Sequence, residues 1–239
     1  MKTALVTGGA VRIGREISSA LAGRGYRLVI HYNSSARPAE ELRDEIVAGG
    51  GEAVIIGADL SNDAEVRRLA SEAVDAFGGI DLLVNNASVF PSERLEETGE
   101  ELWDHTIAVN LKAPFFLIRH LAPTLRERKG CIINLADLAG MQAWAAYAAH
   151  AVSKAGLIHL TKVAARNLAP DVRVNAIAPG TVLPPEHLTD EEIAELARRS
   201  PLQRNGSPQD VVRALLYLVE ADFVTGETLV VDGGRLLRG

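Results

Sequence analysis

The chain has 239 residues, 47% of them hydrophobic, with 25 Lys and Arg against 31 Asp and Glu and a formal charge of −6. That length and apolar content suffice for the core of one α/β domain, and the acidic balance (pI ≈ 5.6) leaves no basic footprint for nucleic acid or an anionic membrane. The single cysteine, Cys131, excludes an internal disulfide framework and a multi-Cys metal site, so no metal is expected and Cys131 reads as a buried strand residue.

The N-terminus runs straight from Met1-Lys2 into a strand-like segment with no signal h-region, and no apolar stretch approaches membrane-spanning length. A cytoplasmic protein is expected. Strands are expected at Thr3–Val6, Arg27–His31, Ala53–Ile56, Leu82–Val84, Cys131–Leu135, Val172–Ile177 and Thr228–Val231, from short apolar runs. Helical periodicity lies between them, near Gly14–Arg24, Ala39–Ala48, Ala64–Phe77, Glu100–Leu125, Tyr147–Leu168 and Pro208–Glu220. Strands separated by helices imply a parallel sheet, because parallel neighbours need crossovers. The fold class is therefore α/β: one Rossmann-like doubly wound domain over 1–239, helices on both faces. Pro184-Pro185 and the charged run Thr189–Arg199 suggest a flap inserted around 183–200, with Thr189 and Glu192 as a capping box.

The first turn, Thr7-Gly8-Gly9-Ala10-Val11-Arg12-Ile13-Gly14, follows a strand and opens a helix. Glycines there let backbone N–H groups approach a pyrophosphate, and the helix N-terminus favours its charge. A site selective for NAD places Asp or Glu at the end of the second strand, whereas this chain reads His31-Tyr32-Asn33-Ser34-Ser35. Arg12 can pair with a 2′-phosphate, to which Asn33, Ser34 and Ser35 can donate. Arg37 reads as a solvated surface arginine. NADP(H) is the expected cofactor. Asp59-Leu60 after the third strand and Asn85-Asn86-Ala87-Ser88 after the fourth point to a shared crevice. Asp59 can accept from an adenine amino group or cap the following helix, and Asn85-Asn86 can be a plain turn.

From Cys131 to Gly156 the chain passes from an apolar strand through a small-residue loop bearing Asp137 into an Ala-rich helix with His150 and Lys154 one turn apart. An Asp after a strand and an i, i+4 pair on the next helix can converge at the carboxyl ends of a parallel sheet.

These features together resemble the short-chain dehydrogenase/reductase family along essentially the whole chain. The matching pieces are the turn from Thr7 to Gly14, Asp59-Leu60, Asn85-Asn86-Ala87, Asn110, Lys154, Pro179-Gly180 after Arg173-Val174-Asn175, and the ending Val224-Thr225-Gly226 with Val231-Asp232-Gly233-Gly234. Within it, Arg12, His31-Tyr32, Ser88 and Asp137 after Ile133-Asn134 are similar to the pteridine and dihydromonapterin reductases. The resemblance implies NADPH-dependent reduction of a pterin-like or carbonyl substrate. It also implies that Lys154 holds the nicotinamide ribose, that Asn110 holds a water linked to Lys154, and that Pro179, Gly180 and backbone at Val182 meet the carboxamide. An aromatic from the Val89-Phe90 region would line the substrate pocket, and a homotetramer is implied.

One position departs. The family has Tyr four residues before the catalytic Lys, and here that position is His150. The spacing to Asp137 matches the family register, so His150 is a substitution in place. The family's Tyr relies on a cationic Lys to lower its pKa from about 10. A cationic Lys154 works against an imidazolium, whereas a carboxylate at Asp137 works for one. Three alternatives follow: an Asp137–His150 pair as general acid, Asp137 and a water near Asn110 relaying the proton with His150 orienting, or a catalytically impaired NADP(H)-binding sensor or scaffold. Tyr147 shares the helix face of His150 and lines the substrate pocket or packs, and Trp144 covers the site or sits in core. His105, His120, His159 and His187 have no ligand spacing and are expected at surfaces or interfaces. The long Ala-, Leu- and Val-rich helices suggest a homo-oligomer.

Overall fold

A computed structural model describes residues 1–184 and 189–238. Seven strands form one parallel sheet: β1 (Thr3–Val6), β2 (Arg27–Tyr32), β3 (Ala53–Gly57), β4 (Leu82–Asn85), β5 (Cys131–Leu135), β6 (Arg173–Pro179) and β7 (Thr228–Val231), in the order β3-β2-β1-β4-β5-β6-β7. The order reverses at β1, whose neighbours are β2 and β4, and it is outside such a reversal that open α/β sheets leave a crevice for ligands.

Two layers of helix cover the sheet. Helices α1 (Arg12–Ala22), α2 (Ala36–Ala48) and α8 (Pro208–Glu220) pack on one face through Ile17, Leu21, Leu42, Val211 and Leu215. Helices α3 (Asp63–Phe77), α5 (Ala113–Glu127) and α6 (Ala148–Leu168) pack on the other through Leu69, Leu117, Leu121 and Leu168. Alternate strand residues divide between them: Leu5, Val29, Leu83 and Ile132 enter one core, while Val6, Ile30, Val84 and Ile133 enter the other. Burial on both sides explains why these strands read as continuous apolar runs. Cys131 is buried in β5, as its apolar neighbours suggested.

The strand and helix boundaries fall within about three residues of the expected ones, with one real difference. The expected helix over 100–125 is two helices, α4 (Glu100–Ile107) and α5, joined by a π-helical turn at Ala108–Lys112. Pro114 has no N–H to donate to the Asn110 carbonyl, so the α-helical bond there cannot form and the turn widens. The widened turn buries the Asn110 side chain, which is 1% exposed.

In the flap, α7 (Asp190–Arg198) begins with the expected capping box: Thr189 Oγ1 accepts from Glu192 N–H, and the Glu192 carboxylate accepts from Thr189 N–H. Pro185 and His187, both part of the sequence reading, lie outside the described residues. No helix among the described residues is long and apolar enough to cross a membrane.

Candidate active site

The carboxyl ends of the strands open into a cleft of ≈ 2250 Å³. At one end is the turn between β1 and α1. Gly8 takes a φ of +58°, and Gly14 lies so close beneath it that a Cβ would come 2.0 Å from the Gly8 carbonyl oxygen. Only a hydrogen fits there, which lets the N-terminus of α1 approach the turn. Thr7 Oγ1 accepts from Asn86 N–H and Ala87 N–H (2.9 and 3.0 Å), and Asn86 Nδ2 donates to Thr7 and Gly8 carbonyls. Thr7 and Asn86 thus lock the ends of β1 and β4 together.

His31 has a supporting part instead of a free ring nitrogen. Its Nδ1 accepts from Gly8 N–H at 3.0 Å and its Nε2 donates to the Ala58 carbonyl at 2.9 Å. Burial pushes its pKa down to about 4, so it is neutral. The ring therefore braces the turn from within the sheet.

Arg12, with a φ of 52°, stands exposed at the cleft and donates to the Leu183 carbonyl (3.1 Å) at the start of the flap. Asn33, Ser34 and Ser35 line the same end, and no carboxylate stands among them. Arg37 is ion-paired with Glu41 on the surface. Asp59 does not cap α3, because Asn62 Oδ1 takes that part by accepting from Ala64 N–H. Asp59 accepts instead from the Ser61 N–H and hydroxyl, which hold its carboxyl below the usual range. It remains exposed on the cleft beside Leu60. His105, expected at a surface, also lines the cleft, near enough to favour the Asp59 charge.

At the other end, Asp137, His150 and Lys154 come together. Lys154 is 3% exposed and donates from Nζ to the Leu135 carbonyl at 2.8 Å. Burial pushes its pKa down to about 8, a shift that the Asp137 carboxylate opposes. His150 is 2% exposed. Its Nδ1 lies 3.1 Å from the Val89 carbonyl and 3.4 Å from Asn110 Nδ2. Both Asn110 Nδ2 protons have better acceptors, the Val89 carbonyl and Ser153 Oγ at 3.0 Å each. His150 therefore carries a proton on Nδ1 directed at Val89, which leaves Nε2 as the nitrogen facing Asp137. That Nε2 is sealed from solvent, has no hydrogen-bond partner among the described residues, and lies 3.9 Å from Asp137 Oδ2.

Asp137 is the more open member, its side chain 26% exposed. Oδ1 is held by Ala139 N–H at 2.7 Å, so Oδ2 is the free oxygen. Asn110, to which the resemblance assigned a water linked to Lys154, engages its side chain with groups of the chain itself. Its Oδ1 accepts from Ser88 Oγ and Val89 N–H and its Nδ2 is spent as described, so the side chain clamps residues 88–89 to α6.

An aromatic wall rises from His150. Phe90 meets the imidazole edge-on (centroids 4.5 Å) and stacks on Tyr147 (4.5 Å), which meets Trp144 (6.0 Å), over which the Arg235 guanidinium lies at 5.1 Å. Phe90 and Tyr147 both line the cleft. Arg235 was not singled out from sequence. The signal was the Gly233-Gly234 pair just before it, whose φ values of +65° and +86° turn the chain back over the cleft. Pro179, Gly180 and Val182 line the floor between the two ends.

A family profile described as Enoyl-(Acyl carrier protein) reductase matches residues 9–235. The chain belongs to the short-chain dehydrogenase/reductase family. Among curated members it is 38% identical to the 3-oxoacyl-(acyl-carrier-protein) reductase FabG of Staphylococcus epidermidis, covering 99% of both chains. It is 36% identical to the 3-oxoacyl-(acyl-carrier-protein) reductase of Synechocystis, covering 99% of this chain and 97% of that one. Among solved members, FolM alternative dihydrofolate reductase 1 of Brucella canis, complexed with NADP, superposes with a TM-score of 0.92 at 37% identity over 99% and 94% of the two chains. The Brucella suis protein, also with NADP, gives 0.94 at 37% over 99% and 95%. Identity to carbonyl-reducing and dihydrofolate-reducing members of this family is thus nearly equal, and it does not choose between those substrates.

Proposed function

We propose that the protein is an NADPH-dependent reductase of pterin-like substrates, with carbonyl compounds as the other acceptor class of the same site. The observation that carries this reading is the sealed, unpartnered Nε2 of His150 lying 3.9 Å behind the half-open carboxylate of Asp137 and beside Lys154. The cofactor reading rests on the NADP in both Brucella structures and on residues that fit it. Gly8, Ile13 and Gly14 at the start of α1 suit a pyrophosphate. Arg12, Asn33, Ser34 and Ser35, with no carboxylate among them, suit a 2′-phosphate. Asp59 and Leu60 suit the adenine, Asn86, Ala87, Ser88 and Lys154 the nicotinamide ribose, and Pro179, Gly180 and Val182 the carboxamide.

Bound NADPH supplies a hydride. The chain's own residues supply the matching proton and the field. Asp137 Oδ2, the open oxygen, passes a proton to the substrate nitrogen or oxygen beside the carbon being reduced. His150 Nε2 returns a proton to Asp137 from behind, with Nδ1–H held by Val89. Lys154, buried and cationic near neutral pH, stabilises negative charge as it develops. Phe90 and Tyr147 form a wall against a flat ring and exclude water. His150 thus acts behind Asp137, in place of a residue that reaches the substrate itself.

The test is NADPH consumption with dihydrobiopterin and a small ketone panel by wild type, Asp137→Asn, His150→Ala and His150→Tyr. Loss of the proton donor in Asp137→Asn is expected to cost about 10²- to 10⁴-fold in turnover, with a smaller loss in His150→Ala and no gain in His150→Tyr. Full activity in Asp137→Asn refutes the proton path. A large gain in His150→Tyr on every substrate indicates instead an impaired enzyme retained for binding NADP(H).

A cytoplasmic homotetramer completes the proposal. The single thiol is buried, and Trp103, Phe115, Val152 and Val163 stand exposed on α4, α5 and α6. Light scattering of the purified protein reads the assembly directly.

A further inference from the structure

Three segments meet at one side chain that the proton path does not use. Residues 179–182 line the floor of the cleft, residues 136–147 carry Asp137 and the outer part of the aromatic wall, and residues 233–236 form the turn after β7. Backbone contacts fix the last of these against the first: Gly180 N–H donates to the Val231 carbonyl (2.9 Å), and Asp232 Oδ1 and Oδ2 accept from Gly234 N–H and Leu236 N–H (2.7 and 2.6 Å). From this turn Arg235 reaches both other segments. Its Nη1 donates to Thr181 Oγ1 at 3.0 Å, and its guanidinium lies over the Trp144 ring, 5.1 Å from the centroid. Its neighbour Leu236 packs with Trp144 on a cluster that includes Ala136 and Leu138, the residues on either side of Asp137.

Arg235 is half-buried, and burial and Arg199 work against its charge while Asp137 and Asp232 favour it. A partly desolvated guanidinium is costly unless its contacts compensate, and these contacts lie on two different segments. Thr181 stands between Gly180 and Val182, which suit the carboxamide. Trp144 meets Tyr147 (6.0 Å), which stacks on Phe90 (4.5 Å). One side chain therefore spans the surfaces assigned to nicotinamide and to substrate. A hydride crosses between those surfaces, and a misplacement of about 1 Å costs on the order of 100-fold in rate.

Building on the reductase reading, we propose that Arg235 is a positioning residue that holds the carboxamide segment at Thr181 in register with the aromatic wall at Trp144, so that occupancy of the nicotinamide site changes the surroundings of Trp144. Arg235 acts through these two neighbours. Its loss lowers kcat and spares the pyrophosphate end, where Gly8, Ile13 and Gly14 stand on a separate turn.

The experiment compares wild type, Arg235→Ala, Arg235→Lys, Thr181→Val and the Thr181→Val/Arg235→Ala double variant in NADPH affinity, steady-state kinetics and Trp144 emission. On whichever of dihydrobiopterin and the ketones the wild type reduces, Arg235→Ala and Thr181→Val are each expected to lower kcat about 10-fold or more, with NADPH Kd and substrate KM within about twofold. The double variant falls no further than Arg235→Ala, because both changes break one contact. Arg235→Lys, which keeps a charge over Trp144 and a donor for Thr181, recovers most of the loss. Emission is read in a Trp103→Phe background, which leaves Trp144 as the only tryptophan. There NADP changes the emission, adenosine 2′,5′-bisphosphate, which lacks the nicotinamide, does not, and the NADP response disappears in Arg235→Ala although NADP still binds. Parallel losses of kcat, NADPH affinity and Tm without recovery in Arg235→Lys overturn the proposal, as do additive losses in the double variant. Should wild type reduce no substrate, the reductase reading fails and the emission measurement alone judges Arg235. An NADP response that requires Arg235 upholds the positioning role, and one that is absent from wild type or survives in Arg235→Ala overturns it.

Discussion

Replacing Lys154 by Met is expected to stabilise the apoprotein while abolishing turnover. The amine is buried and its pKa is pushed from 10.5 to about 8. A difference of that size corresponds to about 3 kcal/mol of folding free energy lost at pH 7, where the amine is charged in both the folded and unfolded states. Methionine removes that cost and keeps most of the packing. It also removes the donor to the Leu135 carbonyl, a loss of roughly 1 to 2 kcal/mol. The net gain at pH 7 is about 1 to 2 kcal/mol, or roughly 2–8 °C in Tm for a domain of this size. Because the folded state releases the Lys154 proton near pH 8 and the unfolded state only near 10.5, the wild type recovers stability as pH rises through that window. The advantage of the Met variant should therefore shrink between pH 8 and 10. Urea unfolding of both apoproteins at pH 7, 8.5 and 10 reads this directly. A Met variant less stable at pH 7, or a difference that does not change with pH, refutes the account of Lys154 as a desolvated cation kept for function.

Asn33→Asp puts a carboxylate where a 2′-phosphate is expected to sit. It should weaken NADPH binding by at least about 10-fold while sparing or improving NADH, the size expected of one lost or reversed charge contact. Fluorescence titration with each cofactor checks it, and an unchanged ratio of the two affinities removes Arg12 and its neighbours from the phosphate site. Gly14→Ala forces a Cβ to within 2.0 Å of the Gly8 carbonyl oxygen, so α1 must withdraw from the turn. NADPH binding should be lost and stability should fall by the roughly 1–3 kcal/mol typical of overpacking. His31, neutral because its folded pKa is about 4, should make the protein acid-sensitive. As pH falls from 6.5 to 4 the unfolded state takes a proton that the folded state refuses, and stability drops by up to about 3 kcal/mol. His31→Gln should flatten that part of the pH–stability curve.

The sheet was legible because parallel strands covered on both faces write themselves as uninterrupted apolar runs, and the glycine turn was legible because its sterics admit almost nothing else. Less was legible where one side chain meets several distant partners. Asn110 reads in sequence as a helix interruption, and Pro114 shows where the turn must widen, but only the fold reveals that the amide is consumed by Val89, Ser88 and Ser153. Arg235 and Arg199 lie 36 positions apart at the ends of unrelated elements. No spacing rule joins them, yet both line the cleft.

His150 shows the same limit at the reacting centre. Its place in the motif was plain, and sequence left open whether the imidazole touches substrate or stands behind another group. The proposed assignment, with the imidazole behind another group, rests on packing: Phe90 meets the ring, Val89 takes Nδ1–H, and Nε2 is closed to solvent. The proposed path therefore delivers its proton from Asp137, the more exposed neighbour, whose Oδ2 makes no backbone hydrogen bond. On the proposed path, an imidazole in place of a phenol moves the delivering atom from position 150 to position 137 and leaves Lys154 to supply the charge behind both.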